Sequence, residues 1–185
     1  KDGNVTGTIA TLNGSEGDFY VSGNVLPRVY GGFGTSLSFT GFDLSVDFQY
    51  QLGGKVFDSE YQSLMAFRDG YGYHVDLLNA WTPENSSSNI PRLNVNDAYN
   101  ATGCDRFLTS ASCLTLGNVT FGYTLPKNWL SKIGINKVRL YVVGDNLYTW
   151  SARKGLNPSI LPTGESTALN YSMMRTVSGG VQIGF

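Results

Sequence analysis

Few residues in this 185-residue chain have the types and spacing that covalent chemistry requires. Asp43 and Asp47 are the nearest approach to a carboxylate pair, but the alternating sequence around them predicts a strand. That places them two side-chain repeats apart, roughly 13 Å by strand rise, wider than a glycosidase pair uses. His74 is the only histidine; it stands beside Tyr71, Tyr73 and Asp76 with no second histidine and no nucleophile pattern to complete a triad. An ordinary exposed loop histidine is the plain reading. Cys104 and Cys113 are too few for a disulfide framework and lack the Cys/His spacing of a zinc site, which leaves open one loop-to-strand disulfide. Asn13-Gly14-Ser15-Glu16-Gly17-Asp18 lacks the alternating carboxylates of a calcium loop and reads as a solvated turn. The residues therefore point away from an enzyme, and no metal or cofactor is expected.

Binding chemistry is better represented. Tyr61, Phe67, Tyr71, Tyr73, Trp81 and Tyr99 punctuate one long polar stretch, and aromatic faces stack on sugar rings as readily as they anchor loops. Tyr71, Tyr73, Trp81 and Tyr99 are taken as candidate substrate contacts. A second set, Asp43, Asp47, Gln49, Gln51, Arg139 and Asp145, falls on polar strand faces. Those residues would line an interior that must be polar in any case.

The elements carrying these residues follow from composition and periodicity. With 23 glycines, 11 tyrosines, 10 phenylalanines and only 15% charged residues, the chain favours β-structure. Its net charge of -1 and pI near 5.8 supply no footprint for nucleic acid, which is not an expected partner. No stretch of eighteen apolar residues and no signal-peptide core is present, which excludes a helical span but says nothing against a barrel.

Phe42, Leu44, Val46, Phe48, Tyr50 and Leu52 alternate without error against Asp43, Ser45, Asp47, Gln49 and Gln51. Phe33, Thr35, Leu37 and Phe39 do the same just upstream, and Thr40-Gly41 reads as a tight hairpin. Strands are expected at about 29–40, 42–56, 111–125, 137–150 and 171–185, the third less regular in its first half. Pro126 to Gly134 reads as a short connection with room for one helical turn. Long stretches at about 57–110 and 151–170 separate the strands on the other side.

Short turns on one side and long loops on the other are the asymmetry of outer-membrane barrels, with short periplasmic turns and long extracellular loops. Counted back from a periplasmic C-terminus, residues 1–28 form an extracellular loop. Five strands starting outside cannot close alone, so further strands are expected N-terminal to this segment. Trp150, Tyr148 and Tyr171 fall near one membrane boundary and Trp129 near the other, as an aromatic girdle would. Alternation alone is equally compatible with a soluble secreted β-sandwich that binds carbohydrate through loop aromatics, since lipid and a protein core are alike apolar.

The last strand ends Gly179-Gly180-Val181-Gln182-Ile183-Gly184-Phe185. Its alternating Val181, Ile183 and terminal Phe185 resemble the signal read by the barrel assembly machinery. Asn118-Val119-Thr120-Phe121-Gly122-Tyr123-Thr124-Leu125-Pro126, Val138-Arg139-Leu140-Tyr141-Val142 and Gly144-Asp145-Asn146-Leu147-Tyr148-Thr149-Trp150 resemble the C-terminal signature of the SusC/RagA family. Leu26-Pro27-Arg28-Val29-Tyr30-Gly31-Gly32 with Gly41-Phe42-Asp43-Leu44-Ser45 resembles that family's late hairpin. Ala80-Trp81-Thr82-Pro83-Glu84-Asn85 with Ile90-Pro91-Arg92-Leu93 resembles the loop after it.

The resemblance covers nearly the whole chain and implies a fold and function. The fold would be all-β: an antiparallel transmembrane β-barrel segment, five C-terminal strands of a barrel of about twenty-two, with the plug and N-terminal domains absent. The function would be TonB-dependent active import of oligosaccharides or peptides across the outer membrane, the C-terminus lying in the periplasm. Implied partners are a SusD-like surface lipoprotein, the rest of the barrel and its plug, TonB, the assembly machinery, outer-membrane lipid and the glycan or peptide substrate.

Overall fold

The computed structural model describes residues 21–66, 70–94, 103–130, 134–158, 165–166 and 173–185. Tyr99, Phe67, Tyr171 and the Asn13 to Asp18 turn, together with most of the expected first loop, lie outside the described residues.

In chain order the elements are β1 (Val29–Phe39), β2 (Phe42–Leu52), β3 (Lys55–Asp58), α1 (Ser59–Met65), β4 (Leu108–Ser110), β5 (Cys113–Thr124), α2 (Lys127–Leu130), β6 (Lys137–Ser151), β7 (Glu165–Ser166) and β8 (Thr176–Gly184). Single 3-10 turns at Val75–Asn79 and Asp105–Phe107 complete the set. Five strands form one antiparallel sheet in the order β1-β2-β5-β6-β8, each paired with its neighbour in the meander.

The first hairpin turns in two residues, Thr40 at φ 48° and Gly41 at φ 89°. Positive φ at both central positions matches the right-handed twist of the flanking strands. Gly41 is also crowded: a Cβ there would sit 2.7 Å from the carbonyl oxygen of Thr124, and that residue's N–H donates to the Gly41 carbonyl. The connection after β5 holds a helical turn, α2, and ends through Gly134 at φ 71°.

Register places Phe39, Leu37 and Phe33 of β1 beside Phe42, Leu44 and Phe48 of β2. The same face continues through Tyr123, Phe121 and Val119 of β5, Leu140 and Val142 of β6, and Val181 and Ile183 of β8. Rings stack along it, with Phe33 and Phe48 centroids 5.0 Å apart and those of Phe42 and Tyr123 4.4 Å apart. No element of the described residues covers this face. Phe121 and Val142 remain 49% and 51% exposed in mid-sheet, where a sandwich would have buried them.

The irregular first half of the third long strand has a physical cause. In β5, Leu114 and Leu116 occupy even positions and Val119, Phe121 and Tyr123 odd ones. The register skips Gly117 between Asp47 and Phe48 of β2, so this residue is a bulge that returns both sets to one face. On the other side Asn146 and Leu147 of β6 stand opposite Gly117, with Asn146 at φ 52°.

The second strand, expected to reach residue 56, stops at Leu52. Gly53 and Gly54, at φ 82° and 78°, turn the chain out of the sheet. Lys55–Asp58 joins a small second sheet, antiparallel to β4 and parallel to β7. Expected strands beginning at 111 and 171 likewise begin their ladders at Cys113 and Thr176. Part of what reads as loop is thus a folded cap. Tyr61, Met65, Leu77 and Phe107 form one core cluster and Val56 with Ala111 another. Among the described residues the two large side chains buried completely are Phe107 and Val56, and both belong to this cap rather than to the main sheet.

Candidate functional site: the polar face and its cap

The polar face of the main sheet is cross-linked by side chains. Arg139 on β6 donates from Nε to Oδ1 of Asp43 on β2 at 3.0 Å, and from its terminal nitrogen to Oδ2 of the same carboxylate. Asn118 Nδ2 donates to Asp145 Oδ1 at 2.7 Å, Thr120 Oγ1 to Asn118 Oδ1 at 3.0 Å, and Thr115 and Thr149 hydroxyls meet at 3.1 Å. Gln51 Nε2 donates to the Ala111 carbonyl at 2.6 Å. Register puts Asp47 between Gly34 and Asn118, and Gln49 between Gly32 and Thr115.

Of the six polar residues expected on this face, the fold joins Asp43 to Arg139 and ties Asp145 and Gln51 to neighbouring groups. It does not bring Asp43 and Asp47 together, so no hydrolytic carboxylate pair arises. Among the described residues no group of three His, Cys, Asp or Glu could hold a metal ion. Cys104 is exposed and Cys113 buried, and no disulfide joins them. Toward the cap, a crevice of about 460 Å³ opens among Tyr30, Gln49, Gln51, Thr115, Asn157 and Met173.

The cap has its own polar network. Asp58 ends β3 and caps α1, its Oδ1 accepting the Tyr61 N–H at 2.9 Å. Tyr61 donates its hydroxyl to Asp76 Oδ2 at 2.7 Å, and its ring meets the His74 ring edge-on, centroids 4.8 Å apart. Burial, and then the bond to Asp76, push the Tyr61 phenol above its ordinary value. His74 caps the next turn, its Nδ1 accepting the Asp76 N–H at 3.2 Å. Arg153, from the second long loop, lies over the Tyr61 ring with its Nε 3.2 Å from Asp58 Oδ2.

Of the candidate aromatics, Tyr71, Tyr73 and Trp81 sit on this cap, and Tyr99 lies outside the described residues. Tyr71 is 69% exposed, Tyr73 and Trp81 just over a third, and the Trp81 N–H donates to the Ile90 carbonyl at 2.8 Å. Asp58 and Arg153 were not picked out from sequence. Asp58 could have been, as an aspartate opening a helical run with Glu60 in its first turn. Nothing local marks Arg153, whose partners are some ninety residues away in the chain.

No protein-family model matches the chain. TonB-dependent receptor P3 of Formosa agariphila is 33% identical over 144 residues, covering 78% of this chain and 14% of that protein. TonB-dependent receptor P26 of the same organism is 26% identical over 180 residues, 92% of this chain and 18% of that protein. Among solved structures, the RagAB peptide importer in its open-open state superposes with a TM-score of 0.73 at 25% identity, over 93% of this chain and 19% of that one. The RagAB peptide transporter superposes with a TM-score of 0.69 at 26% identity, over 88% of this chain and 18% of that one. The chain belongs to the SusC/RagA-type TonB-dependent receptors.

It spans less than a fifth of the length of the curated relatives it matches. A segment of a TonB-dependent receptor barrel accounts for the open sheet, whose terminal strands β1 and β8 each pair on one side only among the described residues. Barrels of this kind turn an apolar face to lipid and a polar face to their interior. Val181 and Ile183 lie on the apolar side of β8, 59% and 50% exposed, and Phe185, just beyond its end, is 88% exposed.

Proposed function

We propose that this chain is part of the wall and outer rim of a TonB-dependent importer of peptides or oligosaccharides. In this reading the capped end, with residues 57–110 and 151–170, is extracellular. The Gly41 turn, α2 and the C-terminus are periplasmic. Tyr148 and Trp150, with ring centroids 4.7 Å apart, and the exposed Trp129 at the opposite end of the sheet mark two levels of an aromatic girdle.

The observation that carries the reading is the contrast between the two faces: one apolar and uncovered, the other closed by side-chain bonds between strands. Lipid on one side and an aqueous interior on the other produce that contrast. The secreted sandwich would require a second sheet over the apolar face.

The polar residues Asp47, Gln49, Asp145 and the Asp43–Arg139 pair line the interior, where the plug of the complete receptor would stand. Tyr71, Tyr73 and Trp81 supply stacking surfaces at the rim, suited to sugar rings or to apolar peptide side chains. A SusD-like lipoprotein above the rim, and TonB acting on the plug from the periplasm, complete the proposed assembly. The described part of RagAB that aligns with this chain supports that arrangement without deciding between the two substrate classes.

The test uses cells expressing the complete receptor. Membrane fractionation should place it in detergent-extractable outer membrane, together with a co-purifying lipoprotein. Uptake of a fluorescent peptide mixture and of labelled oligosaccharides would then assign the class. A protein soluble without detergent overturns the proposal in favour of the sandwich.

A further inference from the structure

Arg153 is placed in a way that neither lipid exposure nor lining of an interior requires. It stands two residues beyond the end of β6, on a turn fixed by its own bonds. The Leu156 N–H donates to the Arg153 carbonyl at 3.2 Å, and the Ser151 hydroxyl lies 2.8 Å from that oxygen and 2.6 Å from the Leu156 carbonyl. Gly155 turns the chain at φ 88° and Leu156 packs against Val56 and Ala111. The backbone therefore presents the guanidinium from the barrel wall in a set direction.

What it meets is the first long loop. Its carbon lies 3.5 Å from the Tyr61 ring centroid, and its Nε 3.2 Å from a carboxylate whose side chain is only 5% exposed. The two Asp58 oxygens are divided between the N–H of Tyr61 and the guanidinium. A planar cation stacked on a ring while paired to a buried anion has a single geometry, which an ammonium cannot reproduce. Beyond Tyr61 the contacts continue to Asp76 through the hydroxyl and to His74 through the ring. His74 adjoins Tyr73 in the chain, and its own N–H donates to the Leu64 carbonyl at the end of α1.

We propose that Arg153 is a positioning residue: it transmits the height and direction of β6 through Tyr61 to the Tyr71–Asp76 segment and holds the rim aromatics at a fixed place above the wall. This rests on reading Tyr71 and Tyr73 as substrate contacts. The chain also joins wall to cap at Gly53 and Gly54, both in the left-handed region and poorly suited to fixing a direction, and at Ala111–Ser112 between β4 and β5, but neither connection adjoins the Tyr71–Asp76 segment in the chain. The apolar contacts of Leu156, Val56 and Ala111 do not involve the guanidinium, so its loss leaves the cap folded.

The experiment uses the full-length receptor with Cys104→Ser and Cys113→Ala, spin labels at Tyr71→Cys and at Thr176→Cys of β8, and Arg153 as wild type, Arg153→Lys or Arg153→Met. A narrow label-to-label distance distribution is expected with arginine. It should broaden at least twofold with methionine and fall between with lysine, which keeps the charge but not the stacked plane. Amide exchange of 58–66 and 73–79 should rise about tenfold in Arg153→Met, with β5 unchanged. Equal widths in all three proteins overturn the proposal, as does a rise in exchange spread evenly through β5 and β6, which marks a general stability role. Neither readout involves substrate. Unaltered substrate affinity in Tyr71→Ala and Tyr73→Ala would remove the contact reading and leave the positioning result to stand or fall separately.

Discussion

Arg139 on β6 reaches Asp43 on β2 across the whole width of β5, and the side chains pass over Gly122. Gly122 is buried beneath them. A Cβ built there would lie 2.6 Å from Asp43 Oδ2 and 2.7 Å from the Arg139 terminal nitrogen. The absence of a side chain at this position is what lets two charges on non-adjacent strands meet, and it joins three strands of the wall by one contact.

Gly122→Ala should therefore break the pair without touching either charged residue. Overpacking of this kind costs about 1–3 kcal/mol, read as a shift in the urea midpoint of the full-length receptor refolded into vesicles. In an Arg139→Ala background the same substitution should cost clearly less, because the methyl then has space. Equal costs in both backgrounds would show that the crowding comes from the backbone.

Substitution on the two faces of β2 should differ sharply. Val46→Lys, directed at lipid near mid-strand, is expected to cost about 2–4 kcal/mol, and Gln49→Lys, directed at the interior, much less. The same vesicle titration reads both. Equal sensitivity would contradict the lipid-facing assignment of the Val46 side.

Tyr61 gives the cap a defined response to alkali. Its folded phenol is held above the ordinary value of 10.0 by burial and then by the bond to Asp76. The folded state thus binds the proton more tightly than the unfolded chain. The stability this contributes is complete below about pH 10 and is lost as pH rises through the folded value. Absorbance of tyrosinate near 295 nm should show a late-titrating component that is missing in Tyr61→Phe. Amide exchange in 58–79 should rise over the same interval in the wild type, relative to that variant.

Much of the main sheet was legible in the sequence because a strand with unlike environments on its two faces must alternate, and Phe42 to Leu52 does so perfectly. Thr40-Gly41 announced its hairpin by length and by glycine. Val181 and Ile183 stand beside Leu140 and Val138 in the register of β8 with β6. The limits of legibility are equally specific. Val56 continues the even-numbered apolar series of β2, yet Gly53 and Gly54 carry it into another sheet, since periodicity cannot tell a lipid-facing valine from a core valine. Leu114 and Leu116 looked out of phase only because a bulge at Gly117 is invisible to a two-residue period.

The sequence by itself determined the alternating strands, their order in the meander and the apolar character of one face. These depend on residues one or two positions apart. The tertiary structure alone decided which charges meet, that Asp43 takes Arg139 over Gly122 and that Arg153 enters between Asp58 and Tyr61. It also decided that described parts of the long polar stretches fold into a cap around Phe107. Those contacts join residues tens of positions apart, and their energies depend on register, on a bulge and on burial that exist only once the strands have paired.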